Sequence, residues 1–116
     1  MAKIIVAGGR DFSDYMLLKE KLDYVLKFGE FEIVSGKASG ADTLGEKYAL
    51  ENYLRIAEFQ ADWDRYGKKA GYLRNEEMAK YADGCIVFWN GKSKGTKHMI
   101  DLAKKHNIPV AIIRYE

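Results

Sequence analysis

Apolar residues gather in five short runs: Ile4-Ile5-Val6-Ala7, Phe31-Glu32-Ile33-Val34, Leu54-Arg55-Ile56-Ala57, Cys85-Ile86-Val87-Phe88-Trp89 and Val110-Ala111-Ile112-Ile113. Their length and β-branched content predict strands over 3–7, 31–35, 54–59, 84–89 and 108–114. The third run alternates apolar with polar positions, which suits a more exposed place in a sheet. Pro109 opens the last, where a missing N–H donor is tolerated. Between the runs the period becomes helical. Leu18, Leu22, Val25 and Leu26 define a helix over 13–28, with Ser13 as its expected N-cap and Gly29 as its end. Leu44, Tyr48 and Ala49 define another over 41–52; further helices are predicted over 69–82 and 96–106, and 60–67 reads as a loop. Strands alternating with helices through short loops imply a parallel sheet, because each parallel neighbour is reached by a crossover. The fold class is therefore α/β: one domain over residues 1–116, a single doubly wound, mainly parallel five-stranded sheet, Rossmann-like, with helices on both faces.

Three strands end in the same kind of loop. Gly8-Gly9-Arg10-Asp11 follows the first, Gly36-Lys37-Ala38-Ser39-Gly40-Ala41-Asp42 the second and Asn90-Gly91-Lys92-Ser93-Lys94-Gly95-Thr96 the fourth. A strand, a glycine turn and a helix N-terminus in that order make an anion site, since unpaired N–H groups and the positive end of the helix dipole point into the turn. Ligands of doubly wound sheets settle outside the carboxyl ends of the strands where the winding reverses, here between strands one and four. The three loops thus face one crevice.

Their spacing excludes two common readings. The first loop lacks G-x-G-x-x-G, so no dinucleotide fingerprint is present, and Lys37 precedes the second glycine of its loop instead of following it as a P-loop requires. What remains is a phosphate floor of Gly8, Gly9, Arg10, Gly36, Ser39, Gly40, Gly95 and Thr96, with Lys37, Gly91 and Ser93 as further ligand-binding candidates in the same loops. Arg74 and Asn75 join from the polar and aromatic stretch 63–75; asparagine is a mediocre helix former and asks for a partner there. Asp42, in a helix's first turn, suits the dipole and would take hydrogen bonds from ribose hydroxyls or from its own loop. Asp42 and Asp11 are the acids that would activate water if a bound ligand were cleaved. Phe12, Trp63, Tyr66 and Trp89 fall near strand ends, where a ring either stacks on a base or packs locally. His98 and His106 read as surface histidines.

Composition narrows the partners. A net charge of +2 does not by itself imply nucleic acid, although Arg10, Lys37, Lys68, Lys69, Arg74, Lys92, Lys94 and Lys97 concentrate charge in loops. The single cysteine, Cys85, sits in an apolar run and reads as a buried thiol. No stretch reaches the apolar length of a membrane helix, and the opening run is too short for a signal segment, so a cytoplasmic place is expected. No His/Cys cluster has zinc spacing. No intrinsic metal site is expected; Mg²⁺ would come only with a phosphate ligand. The expected partner is a nucleotide-like small molecule, ahead of nucleic acid, and a homodimer is anticipated from the small size and aromatic content.

The motifs in order resemble the YspA-like branch of the SLOG superfamily, Rossmann-like domains related to DprA/SMF and LOG proteins. The resemblance runs through Gly8-Gly9-Arg10-Asp11-Phe12, Ser35 to Asp42, Trp63 with Gly67, Ala70-Gly71 and Arg74-Asn75, and Phe88-Trp89-Asn90-Gly91 with Gly95-Thr96. It implies a nucleotide-derived ligand in the crevice and a role in sensing or processing nucleotide signals in phage or stress settings. Residues 35–42 fit the DprA-like pattern S-G-x-A-x-G-x-D, which adds single-stranded DNA as an alternative ligand. The LOG hydrolases look like P-G-G-x-G-T-x-x-E, and here Met99 stands where that glutamate would be. Binding is therefore the leading expectation, with N-glycosidic or phosphoester hydrolysis as an alternative.

Overall fold

The computed structural model describes residues 1–116. Strands β1 (Ala2–Gly8), β2 (Phe31–Ser35), β3 (Ile56–Glu58), β4 (Gly84–Trp89) and β5 (Val110–Arg114) form one sheet in the order β3-β2-β1-β4-β5, and every pairing is parallel. The helices are α1 (Tyr15–Leu26), α2 (Ala41–Glu51), the single turn α3 (Trp63–Tyr66), α4 (Ala70–Tyr81) and α5 (Lys94–Lys105), with a 3₁₀ turn at Gly67–Lys69 between α3 and α4. The chain winds outward from β1 to β3 and then returns to β4 on the other side of β1. The reversal lies between β1 and β4, as the alternation of elements predicts.

Two apolar cores sandwich the sheet. On one face Leu18 and Leu22 of α1 and Tyr48 and Ala49 of α2 pack on Val6, Phe31, Ile33 and Phe88. On the other, Met78 and Ala79 of α4 and Met99 and Ile100 of α5 pack on Ile5, Val34 and Val87. Ile5 and Val6 are both wholly buried yet belong to opposite cores, which is the pleat of a strand covered on both sides.

Some boundaries differ from the sequence expectation. The cap of α1 is Asp14, whose Oδ1 accepts from the Leu17 N–H at 3.1 Å, rather than Ser13; a carboxylate one residue further along suits the helix's positive end as well as a hydroxyl. Ser93 caps α5 by accepting from the Thr96 N–H at 3.3 Å, so this helix begins at Lys94. Strand β3 keeps only three residues, at the sheet's edge, where it pairs with β2 alone. Within 60–67 one turn of helix, capped by Asp62, is too short for periodicity to reveal. Cys85 is buried, and burial pushes its thiol up to about 12. No helix is long and apolar enough to cross a membrane.

Candidate functional site

The carboxyl ends of β1, β2 and β4 open on a crevice of about 410 Å³. Gly8, Gly9, Arg10 and Asp11 line it from the first loop, Ala38 and Asp42 from the second loop and α2, Arg74, Asn75 and Met78 from α4, and Asn90, Ser93, Gly95, Thr96 and Met99 from the β4–α5 side. Close backbone approach makes this possible. A Cβ on Gly40 would stand 2.2 Å from the Gly9 carbonyl oxygen, and the φ of +77° disfavours any side chain. The Ala41 N–H then donates to that carbonyl at 3.3 Å and joins the first two loops.

Asp42 and Arg74 form the polar wall. Asp42 is 4% exposed. Burial raises its carboxyl to about 6, against the opposing pull of Arg74 and of the Ala38 and Gly36 N–H groups. Arg74 donates through Nη1 to the Gly36 carbonyl and through Nε to Asn75 Oδ1 at 2.9 Å. The Asn75 amide, 7% exposed, directs Nδ2 toward the Gly95 carbonyl at 3.4 Å and His98 Nδ1 at 3.3 Å. This is the partner that an asparagine in mid-helix requires. With Nδ1 accepting, the network assigns His98 the neutral tautomer protonated at Nε2. Burial lowers the His98 pKa, opposed by Asp101 and Glu76, and the Tyr72 ring meets the imidazole edge-on at 4.6 Å.

The facing wall is built from local turns. Asn90 Oδ1 accepts from the Lys92 and Ser93 N–H groups at 2.8 and 2.9 Å, and Trp89 Nε1 donates to the Ser93 carbonyl at 3.1 Å. These bonds fix Ser93 as the cap of α5, whose first turn lines the crevice with Gly95 and Thr96. Met99 is buried in the floor, so α5 presents a thioether where the LOG pattern carries a carboxylate. No group of three or more His, Cys, Asp or Glu side chains converges as metal ligands.

Of the residues singled out from the sequence, Gly8, Gly9, Arg10, Asp42, Arg74, Asn75, Ser93, Gly95 and Thr96 line the crevice, as does Asp11. Gly36 and Gly40 stand behind it, one accepting from Arg74 and the other spacing the loops. Lys37 is not brought in: its ammonium pairs with Glu46 at 3.0 Å and Glu58 at 2.6 Å. Ser39 is exposed outside the lining, and Gly91 packs against the Arg114 guanidinium. Asp11 is not free to act alone, since its Oδ1 accepts from the Tyr115 hydroxyl at 2.6 Å. His98 and Tyr115 are the supporting residues that motif reading missed. His98 lies three residues after Gly95, so a helical wheel brings it near the helix's active end, but its bond to Asn75 comes from α4–α5 packing. Phe12 proves to be core, stacked on Phe88 at 4.7 Å.

Residues 2–66 match the model of the YspA, cpYpsA-related SLOG family. The Gene 61 protein of Mycobacterium phage D29 is 36% identical over 118 residues, spanning 95% of this chain and 94% of the phage protein. Among solved structures, DNA processing protein A (DprA) from Streptococcus pneumoniae superposes with a TM-score of 0.81 at 22% identity, covering 100% of this chain and 51% of that one. DNA processing protein A from Helicobacter pylori, described by its single-stranded DNA binding mode, gives 0.73 at 21% identity, covering 99% of this chain and 66% of that one. The chain thus spans about half to two-thirds of these structural neighbours, and at such identity the likeness concerns the fold.

Proposed function

Because the chain belongs to the YspA, cpYpsA-related SLOG family, we propose that its crevice binds a phosphate-bearing, nucleotide-derived ligand. The observation that carries this reading is the convergence of Arg10, Arg74 and the capped N-terminus of α5 on one crevice at the point where the sheet's winding reverses. Each supplies positive potential, and each comes from a different element. A guanidinium grips a phosphate through paired N–H donors, and the helix end adds oriented amides. The volume, about 410 Å³, is within the range of small-molecule sites. In this reading any Mg²⁺ arrives with the ligand's phosphates and does not reside in the protein.

Binding without LOG-type cleavage is favoured because Met99 leaves α5 without an acid in the floor. Burial brings the Asp42 carboxyl to about 6, close to the range of a general base, so a hydrolase reading has it take a proton from water. Thermal denaturation against nucleoside mono- and diphosphates, ADP-ribose and short oligonucleotides tests the proposal, since a ligand of the folded state raises Tm by mass action. A rise of several degrees with millimolar nucleotide is expected. No rise with any phosphate-bearing compound contradicts the reading, and a rise confined to oligonucleotides and lost in moderate salt transfers the site to single-stranded DNA.

A further inference from the structure

Trp63 is 44% exposed, an unusual state for an indole on a small domain, and its surroundings hold it in that state. It opens α3, a turn capped by the Asp62 carboxylate, which accepts from the Arg65 N–H at 3.1 Å. The benzo edge of the ring lies over Gly71, where a Cβ would come within 3.3 Å of it, so the absence of a side chain there makes the seat. The Arg10 guanidinium, which lines the crevice, stands 5.9 Å from the ring centroid. The ring is therefore seated on one side, half open and joined to the crevice by a cation.

The other aromatic rings nearby have partners of their own: Tyr66 and Tyr72 are as exposed as Trp63, but one stands 5.0 Å from the Arg65 guanidinium and the other meets His98 edge-on. Phe12 is core, Trp89 lies under the Arg114 guanidinium with its N–H bonded to Ser93, and Tyr115 bonds Asp11. Building on the phosphate reading of the crevice, we infer that the Trp63 ring is the platform on which the ligand's base stacks, so that the ligand is a nucleotide with a heteroaromatic base and not a plain sugar phosphate. A nucleoside phosphate holds base and phosphate one ribose apart, and here an arginine suited to the phosphate stands beside a ring suited to the base. The cation–π contact of Arg10 is weaker than a charge-assisted bidentate bond, so a phosphate in the crevice draws the guanidinium off the indole and uncovers a ring face for the base. Arg10 in this way couples the two halves of the ligand.

The test is a calorimetric titration of wild type, Trp63→Ala and Trp63→Phe with AMP, GMP, CMP, UMP, ribose 5-phosphate and inorganic phosphate. Wild type should bind at least one nucleotide roughly 5- to 150-fold more tightly than ribose 5-phosphate, the span expected of one base on one aromatic ring. Trp63→Ala should erase that preference without weakening ribose 5-phosphate binding, because Arg10 is then free of the indole, and Trp63→Phe should retain most of it. Equal wild-type affinity for ribose 5-phosphate and all four nucleotides overturns the platform while the phosphate site stands. So does a Trp63→Ala loss that is the same for sugar phosphate and nucleotide. Silence from every phosphate-bearing probe overturns the crevice reading, and the platform falls with it.

Discussion

Two concavities on this domain differ in kind. The crevice at the strand ends encloses about 410 Å³, whereas the groove between α1 and the β4–β5 part of the sheet encloses about 1140 Å³. The groove exists for a topological reason: right-handed crossovers put α1 and α2 over β1 to β3 on one face and α4 and α5 on the other, leaving β5 without a helix on the α1 side. Its floor is Ile86, Ala111 and Ile113, and its rim is one helix whose charges pair locally, as Lys19 does with Asp23 at 2.7 Å. The crevice gathers polar groups from three loops and from α2, α4 and α5, and several of them hold one another through Arg74, Asn75 and His98. Convergence from separate elements distinguishes a built site from space left over by packing.

The strongest way to break this contrast is Arg74→Ala. It strands the buried Asp42 carboxylate, frees the Gly36 carbonyl and releases Asn75, so nucleotide binding should fall at least 100-fold and stability by about 2–4 kcal/mol by chemical denaturation. Retained binding would mean that the wall is only structural.

Next comes the pH dependence of Asp42. Folded, its carboxyl keeps its proton up to about pH 6, against 3.8 for the ordinary group, so the folded state binds more protons between those values. Its contribution to stability is complete below the lower value and is lost as pH rises through the upper, a swing on the order of 3 kcal/mol. Denaturation from pH 4 to 7 should show this slope in wild type and a flatter one in Asp42→Asn. Ligand phosphate also meets less repulsion from the protonated acid, so wild-type affinity should gain more than that of Asp42→Asn as pH falls from 7.5 to 5.5. Identical profiles for the two proteins would contradict the assignment.

The smallest effect belongs to the groove. Met16 is 72% and Tyr24 62% exposed, and replacing both by serine should change stability by less than about 1 kcal/mol and leave nucleotide affinity unaltered. A tenfold loss of affinity would make the groove part of the site.

What could be read in advance follows from the range of the forces involved. The strands, the long helices and the loops at strand ends rest on periodicity, glycine and capping, all local, and the crevice lining from Gly8 to Arg10 and from Ser93 to Thr96 was legible for that reason. Lys37 misled because its partners Glu46 and Glu58 come from α2 and β3, and no local signal announces a pairing made by packing. The Tyr115–Asp11 bond spans 104 residues and the Asn75–His98 contact joins two helices, so both waited on tertiary structure. The poor fit of Asn75 to a helix interior is the one local trace of the network.

The most direct measurement is an amide NMR titration of the ¹⁵N-labelled protein with nucleoside monophosphates, read at the crevice and the groove together. The account predicts saturable shifts at Gly9, Gly95, Thr96 and the Arg74 Nε–H, with Ala111 and Ile113 unmoved. Shifts centred on Ala111 and Ile113, or none at millimolar nucleotide, would contradict it.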